Sequence, residues 1–416
     1  MIRKIVYNKL FKETSWSFLS KIVALVLFFL INVFLARSLG VEMFGLWSFF
    51  LSVITLVSVV SYFGVNDSTK KFVAQYNKTN SLRGVLISSL KLRFLFSLLF
   101  SLILLLFYKQ LVLILNRPGL EVLFLYGIPL VFLTGLAEYL KAVFIGLHRL
   151  KYNFIMSASE YGLKLGLIIL FFLFSNTLIS IINSFVIAMV ITTLIGFYLL
   201  YFNFYKEIPE SNKKFTKEIL AYSYPFIFIS FGFLALTELN TIMIGLFSTT
   251  TEVGIYAIAN QITKLSQVSL AISMGIMPIF AKLNKKNKKE LGKKFYAVLK
   301  INLLLSLLIV LTVLFLSPVF VPLIFGDKYI SSVLPMQILS IYLLISSTSI
   351  ILSSLLDYLG KAKIRAVNIS ITIILNITLN LLLIPKYGAI GAAIAVSTSY
   401  LPYLILNWLE VKKQFN

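Results

Sequence analysis

The sequence predicts an all-α polytopic membrane protein with twelve transmembrane helices in two six-helix lobes. Three observations carry this. Hydrophobic types make up 59% of the 416 residues and charged types 13%, against about 45–50% and about 25% in soluble domains. Twelve stretches are each long and apolar enough to cross a hydrocarbon layer, which takes about 20 helical residues. The basic residues, finally, crowd between alternate stretches. The same composition excludes disorder. With no cysteine there are no disulfides or thiolate sites, and His148, the single histidine, cannot build a histidine metal cluster.

The predicted spans are 17–39, 44–65, 92–115, 121–147, 155–174, 177–202, 219–247, 252–280, 297–317, 330–358, 366–385 and 388–409. The connections are short and leave no room for a soluble domain. Span 1 follows Arg3, Lys4, Lys9 and Lys12 in the manner of a signal peptide. It is too long for one and no small-residue cleavage site follows, so it is predicted as a retained span.

With the N-terminus placed inside, thirty of the 38 Lys and Arg lie on that side, Arg93 and Lys141 at span ends among them. Five lie outside (Arg37, Lys109, Arg117, Lys328, Lys386) and three fall within spans (Lys21, Lys164, Lys264). This bias predicts both termini in the cytoplasm. Topology and anionic lipid headgroups account for the net charge of +23; no nucleic-acid partner is needed.

Features recur about half a chain apart. Lys12-Glu13 returns as Lys217-Glu218, and Pro129 as Pro335. Phe44-Gly45-Leu46-Trp47 returns as Val253-Gly254-Ile255-Tyr256, an offset of 209. Gly146 with Arg149 and Lys151 returns as Gly360 with Lys363 and Arg365. The expected organisation is an N-terminal lobe over 1–205, a polar cytoplasmic linker over 206–218 and a C-terminal lobe over 219–416. Repeats of six spans enter the membrane in the same direction, and a substrate site at their interface is the usual consequence.

Ionisable and amide side chains inside spans are costly and are candidates for function. Lys264 lies near the middle of span 8, with Asn260 four residues before and Gln267 three after, which places all three on one face of an α-helix. Gln261 flanks them. Lys21 shares a face with Ser17 and Asn32, and it fits either a cavity contact or a side chain snorkelling to the interface. Glu160–Lys164 and Glu138–Lys141 read as local ion pairs, structural or functional. Glu238, beside Thr237, Asn240 and Thr241, fits a coupling-ion site or a partner on a neighbouring helix. Asn368, Thr372, Asn376 and Asn380 form a stripe that serves equally as interhelical glue. Together these predict a polar cleft with a positive charge at mid-depth, which suits an anionic substrate and repels small cations.

No P-loop or dinucleotide glycine motif is present. The outer-loop acids Glu42, Glu121, Glu252 and Asp327 are scattered one per loop. No enzyme activity and no cofactor are therefore expected.

Three stretches carry a resemblance. Leu35-Ala36-Arg37-Ser38-Leu39-Gly40 with Phe44-Gly45 resembles the first-loop signature of polysaccharide flippases. Phe325-Gly326-Asp327-Lys328-Tyr329, followed by Leu334 and Ile338-Leu339, resembles the segment entering their tenth span. Leu379-Asn380 through Ile384-Pro385-Lys386-Tyr387-Gly388-Ala389-Ile390-Gly391-Ala392-Ala393 resembles their loop between spans 11 and 12. These flippases belong to the multidrug/oligosaccharidyl-lipid/polysaccharide exporter superfamily. The resemblance implies a V-shaped cavity between two lobes, alternating access, and a substrate made of an oligosaccharide on a polyprenyl pyrophosphate. Cationic cavity residues would face the pyrophosphate, with Lys264, Lys21 and Arg37 as the candidates. The chain's end after span 12 favours the O-antigen or exopolysaccharide branch.

The expected function is a flippase of the cell (plasma or inner) membrane that carries lipid-linked oligosaccharide from the cytoplasmic to the outer leaflet. Its expected partners are that substrate, membrane lipids, a polysaccharide polymerase and glycosyltransferases. A cation-coupled multidrug antiporter of the same superfamily is the alternative, followed by a non-transporting scaffold or membrane glycosyltransferase.

Overall fold

The computed structural model describes residues 2–117, 119–211, 213–265, 288–359 and 361–415. These residues are all-helical, with no strand among them. The helices are α1 (Ile2–Tyr62), α2 (Val65–Tyr76), α3 (Leu82–Leu115), α4 (Leu120–Gly146), α5 (Leu150–Phe172) and α6 (Leu178–Asn203). They continue with α7 (Thr216–Phe247), α8 (Thr250–Ala259), α9 (Lys288–Phe325), α10 (Val333–Tyr358) and α11 (Ala362–Phe415). Eight of the described helices are long and apolar enough to cross a membrane. Their outer faces carry large apolar side chains that are almost bare, such as Leu113 at 79% and Phe315 at 75% exposure. Patches of this size are untenable in water and suit acyl chains.

Predicted spans 1 and 2 both lie on α1, and predicted spans 11 and 12 both lie on α11. Each of these long helices breaks at a glycine, Gly40 (φ 73°) in α1 and Gly388 (φ 52°) in α11. A positive φ costs little without a Cβ, so glycine marks both turns. At Gly388 the Glu252 carboxylate enters the break, and Oε2 accepts the Ala389 N–H at 2.7 Å. A Cβ on residue 388 would sit 2.3 Å from that oxygen. Glu252→Ala is expected to cost about 1 kcal/mol, the usual loss of a capping oxygen, read as a lower thermal unfolding midpoint of the purified protein.

The chain forms two compact units, Met1–Phe34 with Phe50–Leu234 and Leu35–Phe49 with Ala235–Asn416. In the first, the polar stretch after α6 is fastened to the start of α3. Arg83 Nε donates to the Tyr205 hydroxyl at 3.1 Å, and the Phe215 N–H donates to Ser88 Oγ at 3.1 Å. Glu13 performs a similar service at α5, where its Oε2 accepts the Leu150 N–H at 2.7 Å.

In the second unit, residues 35–49 are held among helices from late in the sequence. Tyr329 donates its hydroxyl to the Ala36 carbonyl at 3.0 Å and meets Phe44 edge-on. Gly45 packs directly on the Thr250 backbone, where a Cβ would lie 1.8 Å from the carbonyl oxygen. Gly254 packs on Val41 in the same way, at 2.2 Å. The two glycines stand 209 residues apart, the offset of the sequence repeat, so the repeated segments cross each other through their glycines.

The asparagine stripe acts as glue in this unit. Asn368 donates to Asn407 at 2.9 Å, and Asn380 donates to Asn240 at 2.7 Å and to Asn376 at 3.1 Å. These bonds tie the two limbs of α11 to each other and to α7, as buried amides require.

Candidate functional site

The first unit contains a buried charge cluster. Glu138 and Lys141 lie one turn apart on α4, and Glu160 and Lys164 one turn apart on α5. Lys141 Nζ sits 2.8 Å from Glu138 and 2.6 Å from Glu160, and Lys164 Nζ sits 2.6 Å from the other oxygen of Glu160. The two local pairs expected from sequence are thus one network, joined by Lys141. Two ammoniums and two carboxylates balance to zero, which is how buried charge becomes tolerable. Lys164 also lies over the rings of Tyr161 and Phe185, at 5.2 and 5.0 Å from their centroids.

This cluster borders a cavity of about 240 Å³. Phe28, Tyr62, Tyr161 and Phe185 supply aromatic walls, and Glu138, Glu160, Lys164, Ser58 and Thr134 supply polar ones. Arg93 stands behind Tyr62 with its guanidinium carbon 4.4 Å from the ring centroid. It donates Nε to the Gly135 carbonyl at 2.9 Å and Nη1 to the Ser61 carbonyl. Arg93 counts among the inside charges of the sequence, but α3 begins at Leu82, well before the predicted residue 92, and carries Arg93 into the bundle fully buried.

The residues predicted to bind substrate divide between the two units. Lys21 and Asn32 lie on α1 within the first unit. Lys21 is half-buried, and Asn32 turns its amide back onto the Phe28 carbonyl of its own helix at 2.7 Å. Arg37, in the second unit, donates to the Ile324 carbonyl at 2.7 Å and to the Leu323 carbonyl, closing the end of α9. Asn260, Gln261 and Lys264 lie together beyond α8, and Glu238 lies on α7 in the same unit. The expected α-helical stripe is not formed there. Residues 260–265 are a 3₁₀ segment, and at three residues per turn Asn260 aligns with position 263 rather than 264. Thr263 Oγ1 accordingly donates to Asn260 Oδ1 at 2.7 Å. Gln267 lies outside the described residues. Among the described residues no group of three or more acidic or histidine side chains gathers to hold a metal.

Sequence reasoning did not find the cavity or the link between the two ion pairs. Its available signal was the presence of Glu–Lys pairs on consecutive spans, both set inside apolar sequence.

Residues 10–284 match the family model for a polysaccharide biosynthesis protein, and residues 225–382 match the MatE model. A putative O-antigen transporter of Shigella flexneri is 25% identical over 399 residues, covering 91% of this chain and 92% of that protein. Among solved structures, an inward-facing multidrug resistance MATE transporter superposes with a TM-score of 0.78 at 15% identity, over 95% of this chain and 98% of that one. The lipid II flippase MurJ in an inward closed conformation gives 0.72 at 17% identity, over 97% and 89%. The chain therefore shares the exporter fold of these structures and is a multi-pass membrane protein.

Proposed function

The chain belongs to the polysaccharide biosynthesis protein family, and on that premise we propose that it is a flippase, moving polyprenyl-pyrophosphate-linked oligosaccharide from the cytoplasmic to the outer leaflet by alternating access. The observation that carries this reading is the family match over residues 10–284, supported by the O-antigen transporter relative of nearly equal length. The proposal includes twelve spans in two six-helix lobes joined by the linker 206–218. Both termini are cytoplasmic and the membrane is the plasma or inner membrane. A polysaccharide polymerase and glycosyltransferases work alongside, and the protein itself catalyses no covalent step.

The physical problem is the headgroup. Each sugar hydroxyl or phosphate oxygen stripped of water costs several kcal/mol in hydrocarbon, whereas the polyprenyl tail prefers it. A cavity open sideways to the bilayer accepts the head and leaves the tail in lipid. An inside-negative potential drives anions outward by about 2.3 kcal/mol per charge per 100 mV, so the pyrophosphate supplies its own driving force. Lys264 is the cation assigned to it, with Asn260, Gln261 and Gln267 as hydrogen-bonding neighbours. Lys21 and Asn32 are further candidates for contact with the substrate. Arg37 supports the site through the α9 carbonyls it caps. Glu238, on α7, is the carboxylate suited to ion coupling.

Lys264→Ala is expected to slow translocation of lipid-linked oligosaccharide in proteoliposomes by about tenfold, the loss of one charge-assisted hydrogen bond, at unchanged insertion and yield. An unchanged rate removes Lys264 from the site. No translocation by the unmodified protein removes the flippase reading. The MatE match over 225–382 favours a second reading, a cation-coupled small-molecule antiporter. Efflux of a cationic dye driven by a proton or sodium gradient in the same vesicles would establish that one instead.

A further inference from the structure

We propose that the cavity of the first unit is a saccharide subsite that takes a single uncharged pyranose ring, with or without an N-acetyl group. It rests on the flippase reading for the source of the sugar, and it gives a role to side chains that reading leaves unused.

Ion pairs that served only to fasten α4 to α5 could be packed dry. Here they edge a cavity of about 240 Å³. At about 30 Å³ per liquid water that is room for about eight waters, enough for one six-membered sugar ring and too little for two. The walls match the two characters of such a ring. Its C–H faces are apolar and suit the aromatic side chains of Tyr62, Tyr161, Phe28 and Phe185 that line the cavity. Its hydroxyls point outward in the ring plane, where Glu138 and Glu160 can accept and Lys164 can donate. Glu138 is the most accessible member of the cluster, with its side chain 36% exposed.

Ser58 supplies an independent sign of a missing polar partner. It lines the cavity, is 2% exposed, and its hydroxyl has no hydrogen-bond partner in the protein. A buried hydroxyl left in that state is costly, and a rotation of Ser58 that turns it onto a sugar hydroxyl would relieve it.

The charge balance selects the kind of sugar. The two carboxylates and two ammoniums already neutralise each other. A uronic acid would meet Glu138 and Glu160 as well as Lys164, and an amino sugar would meet Lys164 as well as the acids. An uncharged ring gains the same hydrogen bonds without disturbing the pairs. An acyl chain would leave the Ser58 hydroxyl unsatisfied, and a bare metal cation would have to displace the Lys164 ammonium from Glu160.

The test is saturation-transfer NMR on the full-length protein in detergent micelles, with free N-acetylglucosamine, glucose, glucuronic acid and glucosamine as probes. Transfer to the ring protons of at least one uncharged sugar is expected, with both charged sugars about tenfold weaker. Tyr161→Ala should weaken the signal roughly tenfold through loss of one ring face, and Thr134→Phe, which fills the cavity, should abolish it. If either variant fails to elute as a folded monodisperse species, the comparison of the four sugars on the unmodified protein still decides. Equal transfer to all four sugars, transfer to none, or an undiminished signal in folded Tyr161→Ala protein overturns the subsite. Translocation of lipid-linked oligosaccharide without sugar transfer overturns the subsite and keeps the flippase. Sugar transfer by a protein that moves no such lipid keeps the subsite and overturns the flippase.

Discussion

Replacing Glu160 by leucine is expected to destabilise the folded protein by about 3–5 kcal/mol, the usual cost of removing one partner from a buried ion pair. Glu160 is 6% exposed and each of its oxygens holds a different lysine. Without it, Lys164 keeps only aromatic faces, and Lys141 keeps only Glu138. Both ammoniums are nearly buried, with side chains 11% exposed. The measurement is the thermal midpoint of the purified protein, followed by the loss of monodisperse material on heating. The double replacement Glu160→Leu with Lys164→Leu should recover much of the loss, because an apolar pair of similar volume often replaces a buried ion pair at little cost. A double variant no more stable than the single one would assign the damage to packing and not to charge.

Gly45→Ala is expected to rank beside it, at about 3 kcal/mol or more, the upper range for forced overpacking. The added methyl would lie 1.8 Å from the Thr250 carbonyl oxygen and 2.9 Å from the Gly254 nitrogen, and both of those atoms are backbone. No side-chain rotamer can make room. Gly254→Ala should do similar damage against Val41. Neighbouring substitutions that share one strained contact are not additive. Once the crossing has been forced open by the first methyl, the second costs little. Thermal midpoints of the two single variants and the double variant would measure this, and a fully additive loss would show that the two glycines act separately.

The all-helical membrane architecture was legible because burial in lipid imposes a simple rule: long apolar runs interrupted by charge, and eight such helices stand among the described residues. The breaks were legible too, since Gly40 and Gly388 stand inside the stretches that resemble flippase signatures, and both adopt positive φ. The 209-residue offset foresaw that Gly45 and Gly254 were related, though not that they touch. Other features were hidden by distance along the chain. Arg37 reads as an outer-loop charge until the α9 carbonyls, 286 and 287 residues away, are placed against it. Arg93 reads as a topology signal because counting cations by side cannot tell a loop from a helix that starts early. Lys141 and Glu160 lie on successive helices, and no local spacing rule joins them. The Asn260–Lys264 stripe failed for a different reason: it assumed 3.6 residues per turn where the backbone tightens to three.

The glycine crossing has a geometry that bears on how such a chain could arise. Position 41 meets 254 as 250 meets 45, the reciprocal pattern of a two-fold interface between identical partners. An ancestral half-length polypeptide associating with its own twin would make this contact twice over. Gene fusion would then preserve an existing quaternary arrangement, and the covalent tether would add permanence without inventing a new surface.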